Sequence, residues 1–415
     1  MTTEKGRRAF ARLGIATAVG ALTALAFFGG RATSSPGRTH ATEVRVVTLP
    51  IANGFPLDLG IKKGFFAQQG IEIKKTTLQS GNDVVLALAN GNGDIGYLGF
   101  VPMYIAVTSG IPLTLASASE VEGTSAADNW QNILVKGSSS IRTPADLRGK
   151  TIAVNALKGV GEVMIKAALK KVGVDPNSPK LLAVGFGAMR SALNNGQIDA
   201  FWAPEPFVSQ GLNIDGDRIV MAPGPVLGKF WPIGGYGALD SWVKKNPQLA
   251  KQFHDAISQS LAYAQAHPDE IRALLPSGTQ NVRLPIWSPV VDRDKLVQLA
   301  KYTKEFGVID SLPNMAQLVP SSVTGGKVLQ ATVANVFITL RLDGKAVKTL
   351  PHGKYTLVVQ DNSKSTGFRL SGPGVTKQTS VKGTGRSTWT LTLKKGRYVY
   401  SSIKHPKRRL TLRVT

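Results

Sequence analysis

The sequence predicts an α/β protein followed by a small all-β sandwich. Three observations carry this. From 44 to about 322, β-rich runs alternate with helical ones, the pattern of α/β layers with mainly parallel strands. From 324 to 415 only short β-rich runs occur, at 328–333, 337–342, 355–359, 368–370, 388–393, 397–401 and 410–414. Turn signals separate them: Asp343-Gly344, His352-Gly353, Gly372-Pro373-Gly374, Gly383, Gly385 and Lys395-Gly396, as in a sandwich. Charge divides at the same place. Residues 326–415 hold 18 Lys and Arg against 2 Asp and Glu, whereas 42–325 hold 26 against 23.

At 415 residues the chain is long enough for two or three domains with separate cores. It contains no cysteine, which excludes disulfides, thiol nucleophiles, cysteine-ligated metals and a lipidated N-terminal cysteine. The net charge of +24 ordinarily raises nucleic acid as a partner. The N-terminus argues against that partner. Arg7-Arg8-Ala9-Phe10 precedes an apolar run over 13–28, so residues 1–41 read as an export signal cleaved between 31 and 42. Gly6-Arg7-Arg8 fits a twin-arginine signal, and an ordinary secretory signal remains the alternative. The run is short for a membrane-spanning helix, which needs about 20 residues.

The elements follow in order. A buried strand over 44–49 enters a loop with Asn53, Gly54 and Pro56, and the next helix ends at Gly64. Gly70 opens a strand through Ile71 and Ile73. Gln79-Ser80-Gly81-Asn82 starts a helix that Asn90-Gly91 closes, and a strand through Asp94 and Tyr97 comes next. Strands are predicted at 133–135, 151–154, 181–184 and 199–202, with helices at 162–172 and 188–195 between them. Amphipathic helices are predicted over 247–266 and 293–306.

This order and wording resemble the extracytoplasmic solute-binding proteins of ABC importers, in the nitrate/taurine/alkanesulfonate/thiamine-precursor group. Ile141-Arg142-Thr143-Pro144-Ala145-Asp146-Leu147-Arg148-Gly149-Lys150 followed by Thr151-Ile152-Ala153-Val154 is similar to the entry to that group's second lobe. The resemblance covers about 280 residues. It implies a type II periplasmic-binding-protein fold, with lobe 1 over 42–136 and 237–323, lobe 2 over 137–236, and the β-sandwich over 324–415. Crossovers are expected near 134–138 and 232–238, with the ligand between the lobes and hinge closure around it.

Candidate ligand-binding residues lie where loops meet helix starts. Asn53-Gly54-Phe55-Pro56 follows the first strand, where Gly54 permits close backbone approach and Phe55 can stack; the same words describe an ordinary turn. Ser80 and Gly81 open a helix whose free N–H groups favour an anion, although capping alone accounts for Ser80. Gly99 and Phe100 stand where the resembled group carries Gly-Asp-x-Pro, so the acid there is replaced; a core phenylalanine is the alternative. Asn155, Lys158, Gly159 and Gly161 form a glycine-rich turn able to cradle an oxyanion, without the hydroxyls usual in sulfonate-binding relatives. Glu205, in Trp202-Ala203-Pro204-Glu205-Pro206-Phe207, is positioned by the resemblance to face the cleft, or to pair with Lys158 or Arg190 when the cleft is empty. Trp202 reads as core, and Glu120 and Trp130 as weaker candidates.

The segment from Phe368 to Val375, with Thr388-Trp389 and Gly396-Arg397-Tyr398, resembles a plastocyanin-like cupredoxin. Thr366 then stands where that group has its first histidine ligand, and Ser402 where it has its cysteine. Only His405 of the ligand set remains, too few for a blue-copper centre.

These readings imply an exported, non-enzymatic binding protein that is periplasmic or envelope-associated. It captures a small anion or nitrogen heterocycle and delivers it to an ABC permease, with no cofactor, metal or nucleic-acid partner. An envelope-bound structural or sensory protein with a degenerate cleft is the rival. The basic tail, densest at Lys404, Lys407, Arg408 and Arg409, suggests attraction to an anionic envelope surface.

Overall fold

In the computed structural model the described residues are 41–415, apart from 277, 278, 280, 281, 321–326, 335, 336, 343, 344, 382–384 and 407. Of the signal expected over 1–41, residues 1–40 lie outside them, as do the expected Asp343-Gly344 turn, Gly383, Lys407 and the expected junction at 323–324.

Strand Thr42–Thr48 forms because Val44, Val46 and Val47 turn into the core while Arg45 points out. Arg45 reaches Asp94, Nη2 to Oδ1 at 2.7 Å, and donates from Nη1 to Gly91 O, tying this strand to the next βα unit. The strand belongs to a six-stranded sheet in the order Ile286–Trp287, Leu113–Val121, Pro232–Leu239, Ile95–Gly99, Thr42–Thr48, Ile71–Thr77. The last three run parallel and the others antiparallel. A second sheet runs Lys180–Ala183, Thr151–Val154, Ala200–Pro204, Gln131–Val135, Arg218–Met221. Its first three strands are parallel, and Gln131–Val135 runs against both of its neighbours.

Two expectations are corrected here. The sheets are mixed, because Gln131–Val135 and Pro232–Leu239, the strands that follow the crossovers, enter from the opposite lobe and run against both of their neighbours. The crossovers lie at 122–130 and 222–231, upstream of the expected positions. Gln131–Val135 already pairs in the second sheet, and Pro232–Leu239 lies wholly in the first.

Helix Pro247–Ala266 backs the first sheet. Pro247 suits its first turn, where an N–H has no partner anyway. Phe253, Ala256, Ile257, Ser260, Leu261 and Ala264 form its buried stripe. It crosses helix Phe55–Lys62 so closely that a Cβ on Gly60 would lie 1.9 Å from Ser260 Oγ, so a side chain there would force the helices apart.

The C-terminal region forms two five-stranded sheets. One holds Lys345–Ala346, Phe337–Leu342, Lys327–Ala334, Gly353–Asp361 and Gly385–Leu393. The other holds Thr349–Leu350, Arg409–Val414, Gly396–Ser402, Phe368–Gly372 and Val375–Gln378. Leu329, Leu357, Phe368, Tyr398 and Leu412 fill the space between them. The first of these sheets docks on the lobes. Val358, on its outer face, packs with Val121, Phe230 and Ile286, and Gly385–Leu393 lies against Pro247–Ala266.

Candidate functional site

A cavity lies between the two α/β lobes. One wall is built by Leu49, Ile51, Asn53, Gly81, Asn82, Tyr97, Gly99, Pro102 and Ile233, all on or beside the first sheet. The other is built by Trp130, Gln131, Asn155, Ala156, Gly159, Val160, Phe186, Trp202 and Pro204. The space open to a water-sized sphere is about 50 Å³, room for roughly three or four water positions.

The lobes are closed on one another. Asn82 Nδ2 donates to Leu157 O at 3.5 Å, and Asn155 Nδ2 donates back to Gln79 O at 3.4 Å. Both bonds are long, so this reciprocal clasp is weak and separable. Ala52 N donates to Glu205 O at 2.9 Å beside it. Gly99 abuts Val160 across the cleft, where a Cβ on Gly99 would fall 2.2 Å from Val160 Cγ2.

Three helices start at this cavity: Gly81–Ala89, Phe100–Thr108 and Val160–Lys171. The first has one side-chain cap, Ser80 accepting from Asp83 N, and the other two have none. Free N–H groups and the positive ends of three helix dipoles therefore converge on one small volume. No Asp, Glu, Lys or Arg side chain is among the lining residues. Asn53 is fully buried, and both of its amide atoms lack a hydrogen bond of normal geometry. Trp202 Nε1 is also unpartnered. Trp130 differs, since its Nε1 donates to Val121 O at 3.1 Å.

Of the residues singled out from sequence, Asn53, Gly81, Gly99, Asn155 and Gly159 line the cavity. Gly54 is buried just behind, beside Thr48, and Phe55 is half-buried in the core. Ser80 caps its helix. Phe100 is fully buried and stacked on Tyr104, at 6.5 Å between ring centroids. Lys158 is exposed and takes a left-handed backbone, φ 55°, with its N–H donated to Glu162 Oε2. Gly161 supports Trp202; a Cβ there would lie 2.5 Å from the indole. Glu205 is fully buried and does not line the cavity. Its carboxylate accepts from Ser209 N and Oγ, both at 2.9 Å, and from Arg283 N at 3.2 Å. Arg190, its anticipated partner, pairs with Asp215 instead.

Tyr97, Phe186, Gln131 and Val160 were not foreseen as lining residues, and Trp202 was read as core. All sit in apolar or helix-start words that read as packing, so sequence pattern alone offered no distinguishing signal.

Two carboxyls stand behind the site at the first crossover. Burial pushes Glu120 up to about 7, against the nearby Ser119 hydroxyl, the Tyr97 hydrogen bond and the nearby Asn53 amide, which hold it down. Tyr97 donates to Glu120 Oε1 at 2.6 Å. The Asn53 amide is close enough to influence that carboxyl although it makes no well-formed bond to it. Burial pushes Glu122 up to about 8, opposed by Gln131 and Asn129 and reinforced by Glu120 and Asp128. Burial, then Asp215, raises Asp217 to about 6. A carboxyl raised on folding binds its proton more tightly in the fold than in the unfolded chain. Its contribution is present below the ordinary value of 4.5 for these glutamates and is lost as pH rises through 7 to 8. The thermal midpoint should therefore fall between pH 5 and 8, and Glu122→Gln should flatten that slope. An unchanged slope in the variant would mean that Glu122 is not protonated in the fold.

The NMT1/THI5-like family matches residues 52–271, more than half of the chain and most of both lobes. The chain belongs to this family. The NMT1/THI5-like protein is 30% identical over 214 residues to the taurine-binding periplasmic protein of Escherichia coli (strain K12), covering 49% of this chain and 61% of the relative. It is 24% identical over 235 residues to a 4-amino-5-hydroxymethyl-2-methylpyrimidine phosphate synthase of Saccharomyces cerevisiae, covering 53% of this chain and 65% of the relative. The alignments thus span less than two thirds of these relatives' own length. In three dimensions it is similar to the alkanesulfonate-binding protein SsuA from Xanthomonas axonopodis pv. citri bound to MOPS. That match has a TM-score of 0.58 at 20% identity and covers 67% of this chain and 98% of that one. The fold of the NMT1/THI5-like protein is accordingly that of the type II periplasmic binding proteins, with additional β-sheets in the C-terminal region.

Proposed function

We propose that this protein is an extracytoplasmic solute-binding protein that captures a small oxyanion, a short sulfonate foremost, and hands it to an ABC importer. One observation carries the reading. Three helix N-termini, the unpartnered Asn53 amide and the unpartnered Trp202 N–H converge on one interlobe cavity without a basic or acidic lining side chain. A preformed ring of donors stabilises an anion where a carboxylate would repel it. The small volume favours such an anion over a substituted pyrimidine. The cavity presents no lining nucleophile or general base beyond Tyr97, whose hydroxyl is engaged by Glu120 and whose burial raises it well above its ordinary value. That supports capture over catalysis, although one relative is a synthase. Export through the N-terminal signal and delivery to a permease are part of the same proposal, as are two lobes that move as separate units.

We read the C-terminal sandwich as a cupredoxin-type scaffold. In support, Thr366 and Ser402, the positions matched to a copper ligand pair, are both buried and their hydroxyls touch.

Thermal unfolding against taurine, ethanesulfonate, nitrate, bicarbonate and hydroxymethylpyrimidine tests the binding reading. A ligand at about 100 times its Kd adds roughly 2.7 kcal/mol. A rise with sulfonate or another oxyanion supports it. A rise with the pyrimidine alone, or with none, overturns it.

A further inference from the structure

The C-terminal sandwich has two outer faces with different fates. One is occupied: Thr356 and Val358 are buried there, and Val358 packs on Val121, Phe230 and Ile286 of the lobes. The other belongs to the sheet on the far side of the sandwich core and turns away from them.

Strand registers place four arginines on that far face. Tyr398, Tyr400, Leu412, Val414, Phe368 and Leu370 point inward, so their neighbours Arg397, Arg413, Arg409 and Arg369 point outward, and all four are exposed. Arg397 stands directly opposite Arg413. Arg409 is opposite Ser401, which is opposite Arg369 on the next strand. Between these two rows lie Thr411, Val399, Ser371 and Thr376, all small. The only acid among the described residues of the sandwich, Asp361, is buried and accepts from Thr379 and Ser363 N. Like charges directly opposed on a sheet cost stability. Here no described acid offsets that cost; Arg397 Nη2 donates to Thr411 Oγ1 at 3.3 Å and Arg409 Nε to Pro406 O at 3.0 Å, so neutral groups alone hold these two guanidinium groups at the exposed face.

We propose that this arginine face docks the protein on an anionic phospholipid bilayer. The inference rests on the reading of an importer's binding protein, whose cargo must reach a membrane permease. A plane of guanidinium groups matches a plane of phosphates better than it matches a narrow groove. Docking by the far sheet leaves undisturbed the near sheet's packing on the lobes through Val358.

The test is sedimentation of the mature chain with vesicles of 30% phosphatidylglycerol in phosphatidylcholine, and with phosphatidylcholine alone. Binding is expected to the anionic vesicles only and to weaken strongly from low to high salt, since exposed charges are screened. The variant Arg369→Gln, Arg397→Gln, Arg409→Gln, Arg413→Gln should bind about tenfold more weakly or worse, given the contribution of each basic residue near an anionic surface. A control with the same charge change on the lobes, Lys171→Gln, Lys180→Gln, Lys244→Gln, Lys245→Gln, should bind nearly as wild type. Thermal midpoints check folding, and relief of the opposed Arg397 and Arg413 should leave the arginine variant no less stable. Equal loss in both variants means net charge alone, and overturns the proposal. Binding to uncharged vesicles overturns it too, as does tighter binding to duplex DNA than to the anionic vesicles. A chain that binds its small anion but no vesicle refutes this inference and leaves the proposed function standing.

Discussion

Gly99→Ala is expected to weaken ligand binding by roughly ten- to a hundredfold while leaving the unliganded protein folded. The added methyl would sit 2.2 Å from Val160 Cγ2, a contact that exists only because the two lobes meet there. Overpacking of this kind costs about 1–3 kcal/mol, and each 1.4 kcal/mol is about tenfold in affinity. The strain is relieved by opening the cleft, so it falls on the closed, liganded state. Val160→Ala removes the obstructing branch, and the double variant should regain most of the lost affinity. Calorimetric titration of the wild type, both single variants and the double variant measures the coupling. Additive losses would mean that Gly99 and Val160 do not meet on closure.

Asn53→Leu should produce an opposite pair of effects: loss of binding and a gain in stability. Asn53 is buried with neither amide atom well bonded, and an unsatisfied buried polar group costs about 1–3 kcal/mol. Leucine, branched like asparagine though larger, removes that penalty and takes away a buried side chain that offers the cavity both a donor and an unused acceptor. A higher thermal midpoint together with at least about tenfold weaker binding is the predicted outcome. A lower midpoint with unchanged affinity would show that the amide supports Glu120 and Tyr97 and does not serve the ligand. The cost of the unpaired amide is then one the folded protein carries for its site.

Much of the architecture was legible because periodicity reports burial directly. Helix Pro247–Ala266 has an apolar stripe, a proline start and a polar back, and its boundaries agree with those read from sequence. The crossovers were harder to place. Gln131–Val135 and Pro232–Leu239 are buried throughout or nearly so, and a strand without alternation does not say which sheet it joins. The pairing of Ile133 with Trp202 and that of Tyr236 with Tyr97 settle it.

The cavity lining was legible at its helix starts. Gly81, Gly99 and Gly159 were recognised because a glycine or small residue at a helix start leaves N–H groups open. Trp202 was not, since a tryptophan within Ala200–Pro204 looks like core from sequence; its ring is held at the cleft by contact with Gly161, a long-range fact. Glu205 was over-read for the complementary reason. An acid between two prolines looks exposed and functional, yet it folds inward to receive Ser209 and Arg283. Spacing names the residue type available at a place but not which partner reaches it first.

The central claim is that the cavity holds an anion by backbone and amide donors and has no charged side chain of its own. Titration calorimetry of the mature chain with ethanesulfonate and with its uncharged counterpart ethanesulfonamide tests it most directly, since the two differ little in shape. The account predicts binding of the sulfonate, and affinity for the sulfonamide lower by about a hundredfold or more, as expected when donors arranged for an anion meet a neutral group. Equal affinity for the two, or binding of the sulfonamide alone, would contradict it.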